Sequence, residues 1–173
     1  MEKPIFDHGP GSIESVETHM ARIPSKQELE QIREVAQSHA YRSEEPRGDR
    51  LRWAKLSLAA NKRFHGDDPQ AQARMRQQEL MLRTWIIEHL GPDADSDWNP
   101  QALAEDTLAA LTLEPGEAEA ASADWRELPI EQIRLLRHHK NLTGHVDRLI
   151  PRLEPGQIKD QLAKWASVRA HLP

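Results

Sequence analysis

Apolar residues recur at three- and four-residue spacing along most of the chain, the period of amphipathic helices. The densest case lies between Asp68 and Gly91, where Met75, Leu82, Trp85, Ile86, His89 and Leu90 fall on one face. Leu80, Met81 and Ile87 widen that face toward the C-terminal half. Asp68 is suited to cap the start, and Pro69 occupies the first helical position, where a missing N–H costs nothing. Gly91 followed by Pro92 supplies the stop. A helix this apolar near its end is expected to be central and to pack on more than one neighbour.

Ser25-Lys26-Gln27-Glu28 has the spacing of a capping box, so a helix is predicted from there, with Leu29, Ile32, Val35/Ala36 and His39 on one face and an end before Pro46. The next runs from Asp49, as cap, to His65. It carries two apolar rows, Leu51, Ala54 and Leu58 beside Trp53, Leu56, Ala60 and Phe64. Asn99-Pro100 starts another that buries Leu103, Leu108 and Leu111, with Pro115-Gly116 as its end and a short Ala- and Glu-rich helix over 118–125. Pro129 opens the stretch 130–153. There Leu135, His139, Leu142, Val146, Leu149 and Leu153 alternate four- and three-residue steps, a heptad-like seam for another helix or another subunit. Asn141 to Gly144 is the candidate break in that run, and 157–172 forms the last helix.

Residues 1–24 contain Pro4, Gly9, Pro10, Gly11 and Pro24 and are expected to form an arm, anchored by Ile5 and Phe6, with a short helix within 12–22. The expectation is an all-α fold: one irregular or orthogonal bundle of six or seven helices over 25–173, its core at 68–91, 130–153 and 156–172, with an acidic interhelical segment at 93–124.

Composition agrees with helices. Aromatics are 5%, low for an all-β protein, and the absence of cysteine removes disulfides, thiolate metal sites and cysteine nucleophiles. No charged-then-apolar leader pattern opens the sequence and no apolar run approaches about 18 residues, so a cytoplasmic setting without membrane contact is expected.

Charge changes the picture more. The net −5 is segregated: residues 47–83 hold nine basic against four acidic residues, while 84–125 hold ten acids and no Lys or Arg. The flanking blocks carry −4 over 1–46 and +4 over 126–173. Such blocks offset one another within a domain or form two contact surfaces.

Chemistry-bearing patterns are thin. Asp93, Asp95 and Asp97 imitate the first ligands of a calcium loop, but Trp98 stands where the turn glycine belongs and Ala104 replaces the bidentate glutamate. His138 and His145 lie two turns apart, about 10.5 Å along an unbroken helix, too far for one ion, and the nine histidines are read as surface or partly buried residues. Neither a nucleophile elbow nor a phosphate-binding glycine loop occurs. His65-Gly66-Asp67-Asp68 is a polar cluster that a tight turn and helix cap explain. Trp85, Trp125 and Trp165 are spaced by forty residues, and Leu-Glu-Pro-Gly recurs at 113 and 153, yet the surrounding residues do not match as a repeat would.

These features point to a non-enzymatic helical interaction module (adaptor, regulator or assembly subunit) that binds a protein partner or itself, without cofactor or metal. Its partner-binding residues are expected to be Asp93, Asp95, Asp97, Leu142 and Val146. The alternative is a nucleic-acid binder that uses Arg47, Arg50, Arg52, Lys55, Lys62 and Arg63 to track phosphates. A weak helix-turn-helix-like unit at 130–172 would assist it.

Overall fold

A computed structural model of the chain describes residues 11–173, and among them no strand occurs; the expected anchors Ile5 and Phe6 lie outside the described residues. The helices are α1 (Ile13–Met20), α2 (Lys26–Tyr41), α3 (Arg47–His65), α4 (Pro69–Leu90), α5 (Pro100–Ala110), α6 (Pro115–Ser122), α7 (Ile130–Leu142), α8 (Val146–Leu149) and α9 (Gln157–Arg169). Single 3-10 turns follow at Trp125–Glu127 and Ile150–Arg152. The fold is all-α. Among the described residues it has more segments than the six or seven expected over 25–173, because the 130–153 run is broken into α7 and α8 and the short helix expected within 12–22 adds α1.

Contacts divide the chain into two compact units, Met1–Glu79 and Leu80–Pro173, where the sequence suggested one domain from residue 25. In the first unit α2 and α3 pack along their length, and α1 packs on both. Residues 13–20 are therefore part of the packed body: Val16 and Met20 are buried. The capping box at Ser25 forms, with the Ser25 amide donating to Glu28 Oε2 at 2.6 Å and the Glu28 amide to Ser25 Oγ at 3.3 Å. Leu29, Ile32, Ala36 and Ala40 form the buried stripe of α2. On α3 the buried residues are Trp53, Ala54, Leu56, Leu58 and Ala60, and His39 stacks on Trp53 at 4.5 Å. That helix starts two residues before Asp49, with Pro46 as its cap. At the start of α4 the Ala71 amide donates to Asp68 Oδ2 at 2.8 Å, as the Asp68-Pro69 signal requires.

The second unit holds the expected heptad-like seam as its core. His139, Leu142, Val146, Leu149 and Leu153 are buried, and Leu135, expected on the same seam, is exposed. Leu142, Val146 and Leu149 join Leu80 and Ile87 of α4, Leu103 and Ala104 of α5 and Leu162 of α9 in one apolar cluster. A second cluster gathers Ala118, Leu136, Trp165, Val168 and Leu172, and Leu108 and Leu111 pack against both. Helix α9 touches α5, α6 and α8. The Asn99 side chain caps α5 by accepting from the Ala102 amide at 2.9 Å. Pro115-Gly116, expected to end that helix, instead opens α6, a proline being well placed in a first turn. Both Leu-Glu-Pro-Gly copies lead into a helix, α6 and α9, but Trp125 lies in a 3-10 turn beyond α6 and Trp165 in the middle of α9.

Candidate functional site

Leu142 and Val146, expected on a partner surface, are fully buried in the second unit's apolar cluster. They are core, because the seam faces α4, α5 and α9 within the same unit. The 130–153 run stops at Thr143, whose hydroxyl donates to the His139 carbonyl at 2.8 Å, and only the four residues of α8 follow. The stretch 130–172, expected as a helix-turn-helix-like unit, is thus α7, the four-residue α8, a 3-10 turn and α9.

The acidic segment is placed differently. Asp95 is partly buried, and its Oδ1 accepts from the Asp97 amide at 2.8 Å and the Trp98 amide at 3.1 Å, so this carboxylate shapes the loop before α5. Asp93 and Asp97 are exposed. Further along, Glu105, Glu117, Glu119 and Asp124 are exposed as well. None of these six carries an ion pair among the described residues, whereas Asp106 pairs with the buried Arg83 at 2.5 Å. Arg83 also lies over the Trp98 ring, 5.6 Å from its centroid.

The basic set of the first unit is largely occupied. Arg52 reaches Glu17 at 2.7 Å, Glu14 at 3.1 Å and Asp49 at 3.5 Å, and its guanidinium holds its proton more tightly through the bonds to Glu17 and Glu14. The Glu14 carboxyl is held below its ordinary range, first by a backbone hydrogen bond and then by Arg52. Arg50 Nε donates to the Ala40 carbonyl at 2.9 Å, and Arg63 donates to the Met20 carbonyl. Lys62 pairs with Glu79 at 2.5 Å. Lys55 is half-buried on the same helix, and Arg47 is exposed at its first turn.

The turn between α3 and α4 borders an open cleft of about 540 Å³ lined by Lys62, Arg63, Gly66, Asp67, Gln72, Met75, Arg76 and Glu79. Gln72, Met75/Arg76 and Glu79 are spaced to share a face of α4. That spacing alone did not mark these residues as a site, and their pairing with the last turn of α3 is seen only in the fold.

No family model, curated protein or solved structure matches this chain. Its candidate chemistry is therefore that of the side chains themselves.

Among the described residues no three His, Cys, Asp or Glu side chains are grouped to hold a metal ion. Two histidines read from sequence as surface or partly buried residues are core. His139 Nε2 accepts from the Thr112 and Leu113 amides at 3.0 and 3.1 Å, which leaves Nδ1 to donate to the Leu135 carbonyl at 2.8 Å. Its ring stacks on Trp165 at 5.6 Å. His145 is buried beside Thr107, and burial pushes its imidazole down to about 4, with the charges of Arg148, Arg83 and Arg169 acting in the same sense. Among the described residues no helix is long and apolar enough to cross a membrane.

Proposed function

We propose that the chain is a non-enzymatic helical protein-interaction module, an adaptor, regulator or assembly subunit, whose exposed carboxylates in the 93–124 segment meet a basic surface on a protein partner or on a second copy. The observation that carries this reading is the contrast in charge pairing. Asp93, Asp97, Glu105, Glu117, Glu119 and Asp124 are exposed without ion pairs among the described residues, while the cations Arg52 and Lys62 are held by carboxylates of their own unit. Unbalanced exposed charge is costly in self-repulsion and steers association with the opposite sign. A polynucleotide surface would need cations free to neutralise phosphates, and much of the 47–63 set is engaged.

The test compares the native chain with an Asp93→Lys/Asp97→Lys/Glu105→Lys variant in partner capture and in oligomeric state at low and physiological salt. The reading expects one defined partner or oligomer that the variant loses while its thermal midpoint is kept. Retention of the complex by the variant overturns it. So does binding of labelled DNA or RNA with a salt slope worth several phosphates that disappears with Arg47→Ala/Lys55→Ala.

A further inference from the structure

We infer that the cleft between the last turn of α3 and the first half of α4 is a binding site for a small organic phosphate, independent of the acidic segment. Its volume of about 540 Å³ lies within the range of small-ligand pockets, and its wall combines an apolar patch with a few convergent polar groups. Lys62 and Arg63 come from α3; Arg76, Gln72 and Met75 come from α4.

The charge arrangement decides the ligand's sign. Glu79 is engaged by Lys62 at 2.5 Å, so the carboxylate three positions beyond Arg76 on the same helix is already neutralised. Arg76 is exposed and has no ion-pair partner among the described residues. Arg63 spends one guanidinium nitrogen on the Met20 carbonyl, and a guanidinium carries five N–H donors. Two guanidiniums on opposite helices therefore border one space, the donor geometry that matches the oxygens of a phosphoryl group. Asp67 is the opposing charge at the same wall. The Lys62 and Arg63 stems offer apolar surface for the carbon-bearing part of the ligand, over the buried Met75 as floor.

Gly66 keeps this wall low. A Cβ built on it meets nothing within 4 Å, and its φ of 62° disfavours any side chain there. The turn thus leaves its backbone bare toward the cleft.

The test is calorimetric titration and thermal shift at low salt with inorganic phosphate, pyrophosphate, glycerol 3-phosphate, ribose 5-phosphate, AMP and ATP. Unphosphorylated ribose and adenosine serve as controls. At least one organic phosphate is expected to bind saturably and more tightly than inorganic phosphate. Arg76→Gln is expected to weaken it about tenfold, the loss of a charge-assisted contact. Asp67→Asn is expected to tighten it, a change that a merely structural role for the turn would not produce, and Lys164→Gln in the second unit to leave it unaltered. Because Arg76 is exposed and unpaired, its variant keeps the fold, which far-UV circular dichroism checks. Absence of saturable binding across the panel overturns the site, as does equal affinity for inorganic phosphate and every organic phosphate, or an unchanged affinity in Arg76→Gln. Arg76-dependent binding of an oligonucleotide without binding of the monomeric phosphates also overturns it, in favour of a polymer.

Discussion

The Thr107 hydroxyl lies 3.0 Å from His145 Nε2 in a buried part of the second unit. That hydroxyl already donates to the Leu103 carbonyl at 2.7 Å, so its single hydrogen is used and His145 must donate from Nε2. Nδ1 is then a bare acceptor, buried and without a hydrogen-bond partner among the described residues. A proton there would bring a charge into an apolar cluster that already faces Arg148, Arg83 and Arg169.

Acid should therefore unfold the second unit through this residue. The unfolded imidazole takes its proton near 6.5 and the folded one only near about 4, so between those values the unfolded chain binds more protons. Stability is full above 6.5 and falls as pH drops through this window, by about 3 kcal/mol in total. Urea unfolding at pH 7.5, 5.5 and 4.5 measures the slope. His145→Gln, which keeps a donor for Thr107, should flatten it; an identical slope in the variant would assign the acid sensitivity elsewhere.

His139, on α7, does a different job from His145, which caps α8. Its Nε2 is the acceptor for two amides of the turn between α5 and α6, so the ring fixes where α6 begins. His139→Phe keeps a ring against Trp165 and removes the acceptor. Thr112 is exposed enough to find water, while Leu113 is half-buried, so the cost should be about 2 kcal/mol. Chemical denaturation gives that number, and faster amide exchange at Leu113 should accompany it. A neutral substitution with unchanged exchange would show that the amides have another acceptor.

Local signals and long-range pairing were not equally legible in the sequence. The caps at Ser25, Asp68 and Asn99 each formed the hydrogen bonds their side chains require, because a cap depends on residues within three positions. The seam from His139 to Leu153 was found by spacing, but spacing does not say which surface covers it; Leu103 and Leu162 do, from the separate helices α5 and α9. His139 and His145 look like any other histidines until the turn at Thr112 and the hydroxyl of Thr107 come beside them. Pro115-Gly116 carries two opposite signals, a stop and a first-turn proline, and the second prevailed. The cleft was not foreseen: Gln72, Arg76 and Glu79 share a helical spacing, but their pairing with Lys62 and Arg63 depends on the turn at Gly66.

Burial of Leu142 and Val146 turns a binding expectation into a stability one. Leu142→Ala should cost about 2–5 kcal/mol, since the cavity would be surrounded by Leu80, Leu103 and other fully packed side chains. A residue on an open partner surface would change stability by roughly 0.5 kcal/mol or less. Equilibrium unfolding separates the two, and loss of a complex in such a variant would report unfolding of the second unit.

The two ends of α3 offer a comparison in which space is held constant. A Cβ built on Gly48, in the first turn, or on Gly66, at the C-terminal cap, meets no atom within 4 Å, so neither substitution creates a clash. The backbones differ. Gly66 has φ 62° and ψ −145°, a region that L residues reach only with strain of about 1–3 kcal/mol, and Gly48 has no positive φ. Gly66→Ala should therefore destabilise the first unit by about that amount. Gly48→Ala, which restricts the unfolded chain at a helical position, should stabilise it by about 0.4–1 kcal/mol. Paired thermal and urea unfolding of the two variants reads both signs. If Gly66→Ala proved neutral, the turn would relax to an ordinary conformation, and Arg63 and Arg76 would no longer be held across one cleft.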